Sequence, residues 1–309
     1  IGEAELGIKH LQNTMIAITG TNGKTELTLL ITHIFNHCGM KAVAIGNIGK
    51  SIADYACSPD LRDILVIELS SFQIETLYSK KIDYGIITNI TKDHLDRYRD
   101  FQHYYDTKQK LKEFLKKGDL ITESTYNHLL DTDKIKDLGS NTLSKIAWKL
   151  TSQFGIGWKQ FLEALDSFKR PGHRLELFCE INGRIYINDS KSTNLASLKY
   201  ALKRVEGPKH LIVGGKDKQT DLLDYKISIG NDVKGIYAIG ETASLFQKAL
   251  PRVETFSNLE EAVLKAQHNS VKGDSILLSP GASSLDQFDN YEERGNTFKN
   301  IVYKIKENL

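Results

Sequence analysis

Hydrophobic and polar positions fall into two rhythms along this chain. Short runs rich in β-branched and aliphatic residues, Met15–Thr19, Ala42–Ile45, Ile64–Leu69 and Tyr84–Asn89, are apolar on successive positions and read as parallel strands buried on both faces. Between the first two, Leu27, Leu30, Ile31, Ile34 and Phe35 recur at helical spacing and predict a helix over Thr25–Cys38. Such β-α-β-α alternation predicts a doubly wound sheet, with ligands at the carboxyl ends of its strands. Phe101–Lys117 then reads as one amphipathic, lysine-rich helix. From Gly118 to Lys169 the pattern is mostly helical and polar, and only Asp119–Ile121 resembles a strand.

The Pro171-Gly172 pair after Arg170 punctuates the chain and predicts a boundary, giving a first domain over residues 1–169 and a second domain over 170–309. Beyond it, Leu175–Ile181 and Arg184–Asn188 flank Asn182-Gly183, a two-residue hairpin signal. Alternation then resumes: helix Leu195–Val205, strands His210–Val213 and Gly235–Ile239, helix Leu259–His268, strand Ser275–Leu278 and helix Gln287–Lys306. The fold class is therefore α/β, with a doubly wound first domain followed by a Rossmann-like α/β domain.

At 309 residues the chain is long enough for two ordinary cores. Its 41 Lys and Arg against 39 Asp and Glu leave a formal charge of only +2, which gives no concentrated basic surface for nucleic acid. Cys38, Cys57 and Cys179 are far apart and odd in number, so they read as reduced thiols. No run approaches the roughly 18 apolar residues of a membrane helix. The opening Ile-Gly-Glu-Ala-Glu-Leu lacks a basic leader with an apolar core and has no Met. The chain is expected to begin inside a longer polypeptide.

The sharpest chemical signal is Thr19-Gly20-Thr21-Asn22-Gly23-Lys24-Thr25, between a predicted strand and a predicted helix. A glycine-rich loop there lets backbone N–H groups close around phosphate, and the helix dipole reinforces them. Lys24 would reach the β and γ phosphates and the Thr25 hydroxyl would hold magnesium. The general P-loop spacing wants a glycine where Ile18 stands, and the plainer alternative is a glycine turn capping a helix. Glu68, at a strand end, suits a magnesium-binding carboxylate, against the alternative of a solvated charge. His94 follows another strand end, beside Asp93, and is a candidate metal ligand or a structural histidine.

Gly20-Thr21-Asn22-Gly23-Lys24-Thr25 resembles the P-loop form of the Mur ligases and the related folylpolyglutamate synthases, and the resemblance continues in order. Gly46-Asn47-Ile48-Gly49, Glu68-Leu69-Ser70-Ser71-Phe72-Gln73 and Asn89-Ile90-Thr91-Lys92-Asp93-His94-Leu95-Asp96-Arg97 are similar to that family's next three segments. Pro171-Gly172-His173-Arg174 resembles its Pro-His-Arg turn with one glycine inserted. Asn188-Asp189-Ser190-Lys191-Ser192-Thr193-Asn194, Gly214-Gly215-Lys216-Asp217-Lys218 and the run from Leu278-Ser279-Pro280 to Phe298 resemble the later motifs. Ser284-Leu285-Asp286-Gln287-Phe288 favours the D-glutamate-adding branch. The resemblance spans about Ile16 to Phe298.

What the resemblance implies is a bacterial, cytoplasmic, ADP-forming ligase of peptidoglycan synthesis, expected to be a monomer. It would take UDP-N-acetylmuramoyl-L-alanine and D-glutamate as substrates, with no nucleic acid or membrane partner. ATP would phosphorylate the nucleotide's carboxylate, and an amine would attack the acyl phosphate. Catalysis is implied for Lys24, His94 and Lys108, the last fourteen residues after His94 and carbamylated in this family. ATP would lie on Gly20, Thr21, Asn22, Gly23, Lys24, Thr25, Arg174 and Asp189. Two magnesium ions would lie on Thr25, Glu68 and His94. Substrate would meet Asn47, Lys191, Thr193, Lys218, Ser284, Leu285 and Tyr291, with Lys218, Thr193 and Ser284 on the side-chain carboxylate of D-glutamate. Another ligase of the family, a folylpolyglutamate synthase-like ligase, or a non-catalytic nucleotide-binding remnant are the alternatives.

Three departures stand out. The resemblance leads one to expect a UDP-holding amino-terminal domain ahead of the P-loop, where this sequence has a dozen or so residues that resemble the linker into the ATP domain. The Gly-x-His-Asn-x-x-Asn helix start that contacts adenine survives only as Gly139-Ser140-Asn141-Thr142-Leu143-Ser144-Lys145, in a stretch too short for a full central sheet. Glu26 replaces a hydroxyl residue after the P-loop threonine, and a carboxylate beside phosphate costs affinity unless it points away. Either the sequence is part of a longer protein or it is a shortened version of one.

Overall fold

A computed structural model describes residues 1–116, 120–122, 125, 138, 141–218 and 220–308. Lys117, Gly118, Asp119, Gly139 and Ser140, named above, lie outside the described residues. The chain divides into two compact units, one of residues 1–92 and 98–170, the other of 93–97 and 171–309.

In the first unit the elements run α1 (Glu3–His10), β1 (Met15–Thr19), α2 (Lys24–His37), β2 (Ala42–Gly46), α3 (Ile52–Ala56), β3 (Ile64–Glu68), α4 (Ser71–Ile74), β4 (Tyr84–Ile87), α5 (Phe101–Gln109), β5 (Leu120–Ile121), α6 (Thr142–Thr151) and α7 (Trp158–Ser167). The strands form one sheet in the order β2-β3-β1-β4-β5, with each pairing parallel. Period-two alternation divides the side chains between two cores. Ile16, Ile18, Val66 and Ile86 join Leu27, Leu30, Ile31, Ile34 and Phe35 of α2 on one face. Met15, Ala17, Leu65, Ile67 and Ile87 meet Ala4 and Ile8 of α1 and Ile52 of α3 on the other. The residues that read as a linker therefore form a helix with a buried face.

The helix predicted over Phe101–Lys117 is shorter: α5 ends at Gln109 and tightens into a 3-10 turn over Lys110–Phe114. The cause is the next contact along the chain. Leu115 forms a parallel bridge with Ile82, and the Lys116 N–H donates to the Ile82 carbonyl at 2.8 Å. Leu111 and Phe114, three apart, are both buried, the repeat that suits a 3-10 turn.

In the second unit follow β6 (Glu176–Ile181), β7 (Arg184–Asn188), α8 (Leu195–Arg204), β8 (Lys209–Gly214), β9 (Val233–Ile239), α9 (Ala243–Ala249), β10 (Val253–Thr255), α10 (Leu259–Asn269), β11 (Ser275–Leu278) and α11 (Tyr291–Glu307). The sheet order is β10-β9-β8-β11-β7-β6, parallel except for the antiparallel β6–β7 hairpin. Asn182 and Gly183 turn that hairpin with φ of 50° and 75°, the pair of positive values that a type I′ turn requires. Helix α11 starts at Tyr291, four residues later than predicted, because the Asn290 side chain caps it by accepting from Glu293 N–H.

Parallel pairing of β7, β8 and β11 has one consequence for chemistry. It brings the loops after their carboxyl ends, around Asp189, Gly214 and Ser279, to a single edge of the sheet.

Candidate active site

In the first unit β1 is the centre of the sheet and delivers the glycine-rich loop at its carboxyl end. Gly20 has φ 144° and Gly23 has φ 83°, both favouring residues without a Cβ. A Cβ on Gly20 would collide with the Thr88 hydroxyl. The loop is held by its neighbour β4 and the segment after it. Thr21 N–H donates to the Asn89 carbonyl at 2.8 Å, Asn22 N–H to Asn89 Oδ1 at 3.0 Å, and Thr88 Oγ1 to the Asn22 carbonyl at 2.7 Å.

Lys24 is the first residue of α2 and half-buried. Its ammonium folds back on the loop and donates to the carbonyls of Gly20 (2.9 Å) and Thr21 (3.0 Å). Thr25 follows in the first helical turn, half-buried, where N–H groups lack intrahelical acceptors and the dipole is positive. Glu26 is mostly buried and meets Arg170, Nε to Oε1 at 3.5 Å.

Glu68 ends β3 and is buried. Its Oε1 accepts from Asn47 Nδ2 at 2.9 Å, while Oε2 is buried with no hydrogen-bond partner among the described residues. Gly46 makes the approach possible, since a Cβ there would strike the Glu68 carbonyl. A buried carboxylate oxygen without a donor is costly and suits a cation.

Helix α5 presents Tyr104 and Lys108, one turn apart, to the same strand end. Tyr104 OH lies 3.1 Å from Thr21 Oγ1. Lys108 is fully buried; its Nζ donates to Thr19 Oγ1 at 3.3 Å and lies 5.0 Å from the Tyr104 ring centre. Among the described residues no group of three or more His, Cys, Asp or Glu gathers as a metal cage. Magnesium is commonly held by one or two carboxylates plus substrate phosphate, so this donor set fits it.

The remaining candidates belong to the second unit. His94 sits in the left-handed region at φ 54°, its N–H turned back on Asp93 Oδ1 at 2.9 Å. Asp93 also accepts from Lys218 Nζ on Oδ1 (2.8 Å) and from Asn194 Nδ2 on Oδ2 (3.2 Å). Burial raises the Asp93 carboxyl, but Lys218 and His94 more than offset this and hold it below the usual range.

Arg174 leaves a turn in which His173 and Leu175 both have positive φ. Asp189, just past β7, accepts from Leu175 N–H (3.1 Å) and Ser279 Oγ (2.8 Å). Its burial pushes the carboxyl up to about 6. Lys191 Nζ lies 4.9 Å from the Tyr291 ring centre. Thr193 is half-buried, Ser284 buried and Leu285 exposed.

Arg294 was legible only as part of a motif, with no role. It is fully buried in α11, and its guanidinium donates to Ser190 Oγ (3.0 Å), the Ser190 carbonyl (2.8 Å) and the Ala282 carbonyl (3.1 Å), with Gly214 O at 3.5 Å. Those acceptors belong to the three loops that parallel pairing gathers. Burial draws the guanidinium down to about 9. Asn194 was likewise unassigned: it caps α8 through Oδ1, accepting from Ser197 N–H, and spends its amide on Asp93. A lone arginine in an amphipathic helix and an N-cap asparagine carry no local sign of such reach.

A glycine-rich loop between the central strand of a parallel sheet and a helix defines the first unit as a P-loop nucleotide-binding domain, followed by a second α/β unit. Residues 18–170 match the Mur ligase middle domain, and residues 173–281 match the Mur ligase glutamate ligase domain. The chain belongs to the Mur ligase family. It is 36% identical to a UDP-N-acetylmuramoylalanine--D-glutamate ligase of Protochlamydia amoebophila, over 98% of this chain and 77% of that protein. It is 33% identical to the ligase of the same name from Alkaliphilus metalliredigens, over 99% and 78%. In fold it is similar to a MurF ligase from Thermotoga maritima solved with ADP: TM-score 0.71, 15% identity, 97% of this chain and 83% of that one. A Thermotoga maritima folylpolyglutamate synthase shares the fold more distantly, with TM-score 0.56, 13% identity and 91% of each chain.

Proposed function

We propose that this chain is the ATP-using and amino-acid-binding part of a ligase that adds D-glutamate to UDP-N-acetylmuramoyl-L-alanine, releasing ADP and phosphate. The observation that carries the reading is the similarity, over nearly all of this chain, to ligases named for that reaction. The Ser284-to-Phe288 string agrees with it. On this reading the chain works in peptidoglycan precursor synthesis, in the bacterial cytoplasm.

The residues divide the task as follows. Gly20, Thr21, Asn22 and Gly23 shape the loop around the phosphates. Lys24 leaves its two carbonyls for the transferring phosphoryl group, whose negative charge must be neutralised for the substrate carboxylate to attack it and displace ADP. Thr25 and Oε2 of Glu68 would hold one magnesium ion and His94 a second; Asn47 keeps the Glu68 carboxylate aimed. When bound, magnesium supplies positive charge that neutralises phosphate oxygens. Lys108, carbamylated, would turn a cation into an anion that can lie beside magnesium. Arg174 and Asp189 take the nucleotide's phosphate and ribose. Lys191, Thr193, Lys218, Ser284, Leu285 and Tyr291 receive the amino acid, with Lys218 on its side-chain carboxylate.

The test is a phosphate-release assay on the full-length protein with ATP, the nucleotide substrate and separate amino acids. D-glutamate should be preferred over L-alanine, L-lysine and meso-diaminopimelate. Preference for any of these, or phosphate release indifferent to every amino acid, would refute the reading.

A further inference from the structure

The Asp93–Lys218 ion pair is an unusual thing to find where a charged substrate is to bind. Asp93 is almost fully buried and Lys218 mostly so. Lys218 follows the Gly214-Gly215 turn, whose φ values of 108° and 147° admit only glycine comfortably. Asp93 is fixed from two further sides, by the backbone of His94 and by the amide of Asn194, which is itself locked as the N-cap of α8. One partner is thus rigidly anchored and the other rides on a loop with a long, rotatable stem.

Resting on the reading that Lys218 receives the substrate's side-chain carboxylate, we infer that this pair is a template for that carboxylate and the ammonium of the incoming amino acid. Without substrate, each charge stands in for one of the two. On binding, Lys218 exchanges the Asp93 carboxylate for the side-chain carboxylate of the amino acid, and Asp93 exchanges the Lys218 ammonium for the substrate's own. Breaking a buried pair by removing one partner is strongly unfavourable because it strands a charge. A molecule carrying both charges strands neither. A dicarboxylate lacking the amine satisfies Lys218 but leaves Asp93 facing a second anion. Asp93 is therefore a specificity-determining residue that reads the amine.

Glutarate has the two carboxylates of glutamate and no amine, so it isolates this recognition. On the full-length protein with nucleotide bound, the Michaelis constant for D-glutamate is compared with the inhibition constant of glutarate competing against it. The unaltered protein should prefer D-glutamate by about tenfold or more, the scale of a charge-assisted hydrogen bond. In Asp93→Asn, which keeps size and shape, the preference should shrink to about threefold or less, with D-glutamate weakened and glutarate unchanged or tighter. A merely structural Asp93 would weaken both alike, and a preserved preference overturns the assignment. Lys218→Gln supplies the control, and carries the test alone should Asp93→Asn not fold. Both ligands should weaken there while the preference survives, and its collapse would equally overturn the assignment. Failure of the unaltered protein to use D-glutamate would instead count against the parent reading.

Discussion

The ammonium of Lys108, fully buried on α5, lies 3.3 Å from the hydroxyl of Thr19, the last residue of the strand that delivers the phosphate loop. Thr19 in turn donates to the Leu69 carbonyl at 2.8 Å, one residue past Glu68. If Lys108 works as a carbamate, Lys108→Ala should lose at least about a hundredfold in turnover, about 3 kcal/mol of transition-state stabilisation. Short carboxylic acids such as formate or acetate should restore part of it. Unchanged activity, together with an intact mass showing a free amine in the unaltered protein, would contradict the carbamate.

Lys24 lies half-buried at the start of α2, bonded to two loop carbonyls. Lys24→Ala should abolish ATP-dependent phosphate release and also loosen the loop by about 1–2 kcal/mol, the net worth of those bonds. Circular dichroism should report a folded protein with a modestly lower melting temperature. Persistent ATP turnover in this variant would remove the P-loop assignment.

Asp189 makes a pH-dependent contribution to stability whose sign is set by burial. Its carboxyl is raised from 3.8 to about 6, so the folded protein holds this proton more tightly than the unfolded chain. The resulting stabilisation is fully present below about pH 4 and is lost as pH rises through about 6, amounting to about 3 kcal/mol. Asp189→Asn should therefore flatten the melting-temperature profile between pH 4 and 7 and raise it at pH 7. It should weaken nucleotide binding if this carboxylate takes a ribose hydroxyl. A profile identical to that of the unaltered protein would show that the Ser279 and Leu175 donors already keep Asp189 ionised.

Lys218→Ala should raise the apparent Michaelis constant for D-glutamate by about ten- to a hundredfold, with a smaller change for ATP. Removing the lysine also leaves Asp93 buried without its cation, so the variant should melt lower than Lys218→Gln, whose amide can still donate. An unchanged constant for D-glutamate would move the carboxylate site elsewhere.

Strands β1, β3, β4, β8 and β11 were legible because both their faces are buried, which writes an unbroken apolar run into the sequence. The Asn182-Gly183 turn was legible because few other residues accept two successive positive φ values. The early end of α5 was not, since nothing in Lys110–Phe114 breaks a helix; its stop is imposed by Leu115 reaching Ile82, a contact between residues far apart in sequence. The candidate site shows the same division. Gly20, Lys24 and Glu68 announce themselves through local chemistry, but the burial of Lys108 among five helix-region lysines, the engagement of Lys218 by Asp93 and the reach of Arg294 depend on tertiary placement.

Arg294 also bears on how the amino-acid preference of such a protein could be redesigned. One guanidinium reaches Ser190 and Ala282 and approaches Gly214, so the loops around it are interlocked parts. Transplanting any one of them from a relative with a different substrate would leave a donor aimed at a carbonyl that has shifted. The smallest exchangeable piece is then all three loops together with the first turn of α11, moved as a set.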